Sequence, residues 1–387
     1  MRNRGTIVLL HFVGQMPLAG IAWQAANYLA GLTKLGYDAW YVEDHGANPY
    51  DPRISSVVMD CRYNVDYLRQ AMEQQGLAGR WAYWDAINDV YHGLPRERVH
   101  ALYAEADGLI NLCGATRLRD EHLRCPVRIM IDTDPIYEQI KYAKADPTAR
   151  AYLDAHSHFF TYGANLGSAA CRVPLCGVPW RATRPPVDLD LWPAAPGAPP
   201  CFTTIATWEN KGKNIAFEGA DYLWSKHLNF IRFLDLPRHR PQTCFRMAML
   251  PPDEAVRRQV EGAGWSLVDP RPVSADMASY QAFIAGSRGE FTVAKDIYVR
   301  PNSGWFSDRA VCYLAAGRPV VTMRTGFTSY CPAGRGLFDY ATHDEALAAI
   351  DAIDADYPRH SRAAREVAGD YFAAERVIGD LLAAAGL

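Results

Sequence analysis

The chain has 387 residues, 49% of them hydrophobic, and a formal net charge of -3. This length predicts two domains, and the balanced charge argues against a protein whose main task is to hold a phosphate backbone. We expect no signal peptide and no membrane span, because no apolar run approaches the ~20 residues that cross a bilayer. The nine cysteines form no CxxC pair and no zinc-finger spacing. We therefore expect free, mostly buried thiols, no bound metal and a cytoplasmic protein.

The first half of the chain alternates between strand and helix patterns. An apolar run at 6–13 predicts a strand buried on both faces. A Gly/Pro loop follows it, and then a helix that stops at Gly36. Further strands are predicted for DAWYVED, ADGLINLCG, VRIMIDTDP and HSHFFTYG. Parallel strands joined by helices bring their carboxyl ends to one sheet edge, which is where open α/β sheets bind ligands.

A proline-dense stretch between Val178 and Pro200 predicts an extended linker. We place the domain boundary near residue 185. This gives a first Rossmann-like α/β domain at 1–185, a second at 186–365, and a closing helix at 366–387 that could pack back on the first domain. The second domain repeats the alternation, with strands predicted for CFTTIATW, CFRMAML, GWSLVDP, GEFTVAKD and RPVVTM.

Residues 303–327 combine two loops with a helix and a strand between them. A glycine-containing loop leads into a helix with Ser307 as the predicted N-cap and Gly317 as the stop. Free N–H groups and the helix dipole attract phosphate at such a helix start, and Ser307 and Arg309 add a hydroxyl and a cation there. The loop TGF follows the next strand. The two loops could hold the halves of a nucleotide diphosphate; an ordinary capped helix between loops is the alternative interpretation.

The same stretch resembles the donor-binding core of glycosyltransferases with the GT-B fold, in the branch of glycogen synthase and sucrose synthase. Leu-Ala-Ala-Gly at 314–317 and Pro-Val-Val at 319–321 match the end of the family pattern, and Phe306 matches its aromatic residue. The resemblance is strong from about residue 285 onward, touches the opening helix after Gly20, and is weak from about 45 to 185. It implies an α/β protein whose two Rossmann-like domains face each other across a cleft. The acceptor would bind to the first domain and a nucleotide sugar, with UDP as the nucleotide, to the second.

The chain departs from the family at two glutamates. The positions of these residues fall on Gly304 and Cys312, so neither role carries over, and Asp308 is the nearest carboxylate that could substitute. We therefore expect a divergent member with its own donor contacts. The candidate donor-binding residues are Gly20, Lys211, Lys213, Lys295, Ser303, Gly304, Trp305, Phe306, Ser307, Asp308, Arg309, Thr325, Gly326 and Phe327.

The turn TWENKGKNI at 207–215 is the second informative motif. Members of the fold often carry a Lys or Arg here, and Lys211 and Lys213 are the candidates. A departing diphosphate develops negative charge, which nearby cations stabilise. Lys295 and Arg300 are further candidates, and a polar turn with solvated lysines is the alternative.

A general base would be needed by an inverting transferase, and Asp134 at a predicted strand end fits best, with Asp132 beside it. His11 and the cluster at 43–45 are alternatives. A retaining transferase can use the leaving phosphate instead, and the sequence leaves this choice open. The Asp-Thr-Asp at 132–134 is similar to the metal motif of the other glycosyltransferase fold, whose architecture differs, so we expect metal-independent chemistry without a cofactor beyond the donor.

The function that these residues favour is a hexosyl- or pentosyltransferase that moves a sugar from a nucleoside-diphosphate sugar to an acceptor hydroxyl. Two alternatives remain: an epimerase or hydrolase of the same fold, and a degenerate nucleotide-sugar-binding protein, which the missing glutamates favour. The acceptor stays open among a small molecule, a lipid-linked sugar, a protein and a modified nucleic-acid base.

Overall fold

The computed structural model describes residues 4–210 and 212–387, so the predicted donor residue Lys211 lies outside the described residues. Its first half is built on one large sheet with helices on its faces. The strands are β1 (Thr6–Leu10), β2 (Asp38–Glu43), β3 (Tyr50–Asp51), β4 (Ser56–Val57), β5 (Trp81–Asp85), β6 (Val90–Gly93), β7 (Gly108–Leu112), β8 (Val127–Asp132), β9 (His158–Thr161) and β10 (Trp180–Ala182). The helices are α1 (Ala19–Lys34), α2 (Arg62–Gln74), α3 (Arg96–Glu105), α4 (Tyr137–Ala143) and α5 (Pro147–Asp154).

The eight strands of this sheet have the order β10-β9-β8-β7-β1-β2-β5-β6. All neighbours are parallel except β5 and β6, which form an antiparallel hairpin at the edge. The central strand β1 has its last four residues fully buried, as predicted for a strand covered on both faces. The hairpin β5–β6 and the two-residue pair β3–β4 were not predicted.

The second half contains a smaller parallel sheet and a separate two-stranded hairpin. The strands of this half are β11 (Cys201–Ile205), β12 (Ile215–Phe217), β13 (Ala220–Tyr222), β14 (Cys244–Ala248), β15 (Ser266–Val268), β16 (Gly289–Thr292), β17 (Val320–Met323) and β18 (Leu337–Tyr340). The helices are α6 (His227–Arg232), α7 (Leu236–His239), α8 (Glu254–Gly262), α9 (Pro270–Val273), α10 (Met277–Ala285), α11 (Asp296–Val299), α12 (Asp308–Ala315), α13 (His343–Ala355), α14 (Tyr357–Phe372) and α15 (Ala374–Ala385). The main sheet has the order β15-β14-β11-β16-β17-β18, and β12 and β13 form a separate hairpin.

The proline-dense segment and the last helix both pack against the first half. Trp192 is fully buried, with its ring 4.5 Å from that of Trp23 in α1. Helix α15 also lies on α1, where a Cβ added to Gly31 would come within 2.5 Å of Ile378. The absence of a side chain at Gly31 therefore permits the close approach of these two helices.

Two cysteines form a disulfide, contrary to the expectation of free thiols throughout. Cys201 at the start of β11 is bonded to Cys244 at the start of β14, because the register of the parallel pair places these residues opposite each other. The other seven cysteines are free. Among the described residues, no helix is both long and apolar enough to cross a membrane.

Candidate functional site

A cavity of about 560 Å³ lies between the two halves, at the carboxyl end of the second sheet. The first half contributes residues near the start of α1 and around the β3–β4 hairpin, including Arg53 and Tyr63. The second half contributes the segment after β11, residues 205–207, and the loops after β14 and β15. This is the edge at which the sequence predicts ligand binding.

Four cations of the second half line this cavity. Arg271 is paired with the neighbouring Asp269 at 2.6 Å, and the other three are Lys226, Lys295 and Arg309. Arg309 is neutralised by an ion pair with Glu290 and donates to the Thr292 hydroxyl at 2.9 Å. Arg309 lies in the first turn of α12, so this helix start places a guanidinium that is paired with Glu290 beside the cavity.

Lys226 differs from Lys295 and Arg309 because no ion pair joins its ammonium to an acid within residues 4–210 and 212–387. Glu290 and Asp134 influence it only through their charge and raise its pKa. Burial, together with the positive charges of Arg309 and Lys295, holds the pKa of Lys226 well below its usual range. A bound anion would remove this repulsion and favour the charged lysine, so the cavity is electrostatically suited to an anion.

Trp224 separates this cavity from a second one. The Lys295 ammonium lies 3.7 Å from the centre of a Trp224 ring, and the Lys213 ammonium lies 4.7 Å from the centre of a Trp224 ring. The second cavity, of about 260 Å³, is lined by Trp224, Lys213 and the acids Asp132 and Asp134, among others. A lysine ammonium is attracted to the face of an aromatic ring, so Trp224 positions both lysines at the boundary.

Asp134 connects the two cavities through Lys295. The Lys295 ammonium donates to the Asp134 carboxylate at 3.0 Å, and the Tyr298 hydroxyl donates to the same oxygen. The cavity walls desolvate Asp134, which would raise its pKa, but Lys295 and Tyr298 hold the pKa below its usual value. Asp134 is therefore ionised at neutral pH, and its side chain is 43% exposed.

Asp132 has a different environment from its neighbour. It is only 4% exposed, and burial raises its pKa to about 7 although Gln139 and Thr161 donate hydrogen bonds to its carboxyl. A carboxyl that titrates near neutral pH is suited to proton transfer. Its burial, however, leaves Asp134 as the more accessible acid of the pair.

The alternative base candidates are engaged elsewhere. Glu43 accepts from the backbone N–H groups of the loop after β1, at 14 and 15. Asp44 is paired with Arg119 and His122 in a buried ionic cluster. Burial lowers the pKa of His11 to about 3, so the ring is neutral, and it contacts Gln24. These contacts fit structural roles for all three side chains.

The two predicted donor loops lie side by side but contact the first half of the chain. Gly304 donates its backbone N–H to the carbonyl of Thr325 at 2.7 Å. The Asn165 amide donates to the Gly326 carbonyl, and the Trp305 indole donates to the Thr133 carbonyl. Gly304 has a φ of +80°, and a Cβ there would lie 2.8 Å from the Asn165 nitrogen, so a side chain would disrupt this contact.

Several predicted donor residues therefore lie in the packed interface between the halves. The rings of Phe306 and Phe327 contact each other and are 1% exposed. Ser303 is fully buried, and its hydroxyl accepts from a backbone N–H. Gly20 lies at the start of α1, close to the Tyr280 ring. Among the described residues, the predicted ones that line either cavity are Lys213, Lys295, Arg309, Asp134 and its neighbour Asp132.

The start of α12 carries its own carboxyl. Ser307 occupies the N-cap position, but its side chain makes no capping hydrogen bond in the described part of the chain. The Asp308 carboxyl accepts from the Tyr162 hydroxyl at 3.2 Å, and burial raises its pKa to about 7. Arg309, rather than the Ser307 hydroxyl, is therefore the side chain of this turn that reaches the cavity.

Lys226 and Trp224 are the site residues that the sequence did not indicate. Both lie in the segment 223–226 before α6, which contains no recognisable motif. Only their convergence with Lys295, a residue about 70 positions away in the chain, shows their relation to the cavity.

No protein-family model and no curated protein matches the chain by sequence. Solved structures do match it in three dimensions. An α-glucosyltransferase in complex with UDP-glucose and DNA containing an abasic site has a TM-score of 0.60 and 10% identity, over 99% of this chain and 100% of that one. HepE of Anabaena, in complex with UDP and glucose, has a TM-score of 0.56 and 12% identity, over 98% and 100%. Sucrose-phosphate synthase from Thermosynechococcus elongatus has a TM-score of 0.54 and 15% identity, over 98% and 99%.

These likenesses cover nearly the whole of this chain and of each similar structure. The chain has the GT-B fold of glycosyltransferases, an α/β architecture in which two Rossmann-like domains face each other across a cleft. The predicted fold class is confirmed, and so is the prediction that this chain resembles GT-B proteins and has diverged from them in sequence.

Proposed function

We propose that this chain is a glycosyltransferase that binds a nucleoside-diphosphate sugar, with UDP as the nucleotide, in the 560 Å³ cavity. The convergence of Lys226, Lys295 and Arg309 on this cavity carries the proposal. The similar α-glucosyltransferase and HepE bind UDP-glucose or UDP, which supports UDP as the nucleotide.

The chemistry follows from the charges at the cavity. When the sugar–phosphate bond breaks, negative charge builds up on the leaving diphosphate, and preorganised cations stabilise that charge more than they stabilise the bound donor. Lys226 forms no ion pair with any described residue, unlike Lys295 and Arg309, so a bound diphosphate should strengthen its charge the most. In this proposal the three side chains replace a metal ion in stabilising the leaving group.

The acceptor hydroxyl would approach from the second cavity. Asp134 is the proposed base because its ionised carboxylate is 43% exposed and lies across Lys295 from the donor cavity. If the enzyme inverts configuration, Asp134 takes the proton of the acceptor hydroxyl; if it retains configuration, the leaving phosphate can take it instead. Either route transfers a hexosyl or pentosyl group to oxygen and releases the nucleoside diphosphate.

A nucleotide-sugar-binding protein without catalysis is the second candidate. It is favoured by Gly304 and Cys312, which stand where the resembling family has glutamates. Asp308 does not compensate for them, since its carboxyl is bonded to Tyr162 at the domain interface.

Calorimetric titration with UDP tests the nucleotide site. Replacing Lys226 by Met keeps the length of the side chain and removes its charge, so UDP should bind ~10–100-fold more weakly, as expected for one charge-assisted contact of about 1.5–3 kcal/mol. Lys144→Met is the matched control, because Lys144 is exposed at the end of α4 and lies outside both cavities. Equal UDP affinity of wild type and Lys226→Met would contradict the proposed site.

Turnover separates the two candidates. Wild-type protein is incubated with a panel of UDP-sugars, and release of UDP is followed with and without added acceptors. UDP release that depends on an added acceptor supports the transferase, and equal release without an acceptor contradicts it in favour of a hydrolase. UDP binding without release from any donor supports the non-catalytic protein.

A further inference from the structure

Three side chains with metal-binding chemistry meet at the edge of the first sheet, outside both cavities. Cys61 directly precedes α2, Asp85 ends β5, and His92 lies in β6. The Cys61 sulfur is 3.4 Å from an Asp85 carboxylate oxygen and 3.8 Å from the Nε2 atom of His92. Cys61 and Asp85 are 6% exposed and His92 is half-buried, so the cluster is shielded and still accessible from one side.

These separations fit a common ion. Zinc bonds to sulfur at about 2.3 Å and to nitrogen or oxygen at about 2.0–2.2 Å with tetrahedral angles, which separates neighbouring ligand atoms by about 3.3–3.7 Å. The two measured distances lie within about 0.1 Å of that range. Thiolate and imidazole ligands favour zinc over magnesium or calcium, which prefer oxygen.

We propose that Cys61, Asp85 and His92 bind one zinc ion, with water in the fourth position. On binding, the Cys61 thiol loses its proton to solvent and the sulfur becomes a thiolate ligand. Asp85 is already oriented by the Ile87 N–H and the Asn88 amide, which donate to its carboxylate. Such outer contacts fix a ligand in place.

The ion would have a structural role distinct from sugar transfer. It would join the start of α2 to the β5–β6 hairpin. From the first turn of α2, the Asn64 amide donates to the carbonyls of Gly14 and Tyr50 at 2.7 and 2.9 Å, and Tyr50 lines the donor cavity. Zinc would therefore stiffen the wall that the first half contributes to that cavity.

Two other interpretations fit the contacts less well. In a nucleophilic triad the carboxylate orients the imidazole, but here Asp85 contacts the Cys61 thiol instead. A second group with ligand-like spacing, formed by Asp44, Glu121 and His122, already contains the guanidinium of Arg119, which pairs with both acids. That cation occupies the place that a metal ion would need.

Metal analysis of the full chain tests the proposal. Untagged protein is produced with zinc in the medium, gel-filtered, and measured by inductively coupled plasma mass spectrometry. We expect one zinc per chain, and its loss in Cys61→Ser and in His92→Ala. Cys125→Ser and His100→Ala are the matched controls, because Cys125 contacts backbone carbonyls and His100 lies in α3, outside the cluster, and both should keep the zinc. Wild-type protein with no more zinc than Cys61→Ser would overturn the proposal.

Cobalt substitution provides a readout that does not depend on how well the variants fold. Wild-type protein loaded with Co²⁺ should show a thiolate-to-cobalt charge-transfer band, and its absence would overturn the proposal. Asp85→Asn keeps an oxygen that can accept from Ile87, so it should fold and bind the metal more weakly, by more than the ~10–100-fold that loss of an outer-shell contact costs. An unchanged metal affinity of Asp85→Asn would remove Asp85 from the ligand set.

Discussion

The two cavities differ in the charges that line them. Among the described residues, the 560 Å³ cavity is lined by cations, including Lys226, Lys295 and Arg309, and by no acid, whereas the second cavity is lined by acids, including Asp132 and Asp134, and also by cations such as Lys213. A lining with cations and no acid favours an anionic ligand. A mixture of acids and cations is compatible with many ligands. Charge therefore limits the ligand of the 560 Å³ cavity to an anion and leaves the ligand of the second cavity open.

The largest effect is expected at Lys295, because it lines the 560 Å³ cavity and also donates a hydrogen bond to Asp134 of the second cavity. Lys295→Ala should lower kcat/KM for sugar transfer by ~10²–10³-fold, about 2.7–4 kcal/mol, because the leaving diphosphate loses a preorganised cation. Steady-state kinetics with the active UDP-sugar measure this, with Lys144→Ala as the control. A decrease in kcat/KM smaller than tenfold would show that Lys295 does not stabilise the leaving diphosphate.

The buried carboxyl of Asp132 should make the free energy of unfolding depend on pH. Burial raises the pKa of Asp132 from 3.8 to about 7, so the folded state holds this proton more tightly than the unfolded state. The wild type is therefore penalised as pH rises from about 4 to 7, and Asp132→Asn escapes this penalty. Between pH 5 and pH 8 the free energy of unfolding of the variant should rise by up to roughly 3 kcal/mol relative to that of the wild type.

Urea unfolding of both proteins at the two pH values measures this gain. Asp120→Asn, at an exposed position, should follow the wild-type curve. A constant difference between Asp132→Asn and wild type would show that Asp132 is not held protonated by burial.

A smaller effect is expected at the ring that separates the cavities. Trp224→Leu removes the aromatic face beneath the Lys295 ammonium, a contact worth about 0.5–2 kcal/mol. UDP affinity should fall ~2–30-fold by calorimetry. Trp224→Phe retains an aromatic face and should lose less; equal losses in both variants would show that packing, and not the cation contact, is responsible.

The smallest effect is expected at Arg53, the cation that the first half contributes to the 560 Å³ cavity. Its guanidinium is already paired with Asp51 at 2.7 Å and its side chain is 61% exposed, so the charge is neutralised and screened. Arg53→Ala should change UDP affinity less than ~5-fold. A loss as large as that of Lys226→Met would erase the distinction between the two halves.

Some of the residues that the sequence analysis predicted line the two cavities, for physical reasons that are local. Lys213, Lys295, Arg309 and Asp134 follow strands or begin helices, and such positions fall at the carboxyl edge whatever the details of packing. Lys226 carries no comparable signal, since its relation to the other cations depends on how the segment before α6 folds over the sheet. The proposed zinc ligands were missed for the same reason: Cys61 and His92 are 31 positions apart, a spacing that matches no metal motif.

The loops at 303–307 and 325–327 show where local reasoning stopped. Their proximity and the stop at Gly317, which has a φ of +69°, were predicted from sequence and are present. Their contacts were not predictable, because Asn165 and Thr133, which bind these loops, come from the other half of the chain.

The amino-acid sequence by itself determined the alternation of strands and helices, because buried strands and amphipathic helices are encoded by short-range hydrophobic patterns. The GT-B fold was predicted from the resemblance of residues 303–327 to a known family and not from this alternation. Only the tertiary structure decided which charged side chains meet. Charges act over a few ångströms of space regardless of their separation along the chain. The Cys61–Asp85–His92 cluster therefore exists only once the first half has folded and the cation cluster only once the second half has folded. The Asp134–Lys295 pair also needs the two halves to pack together.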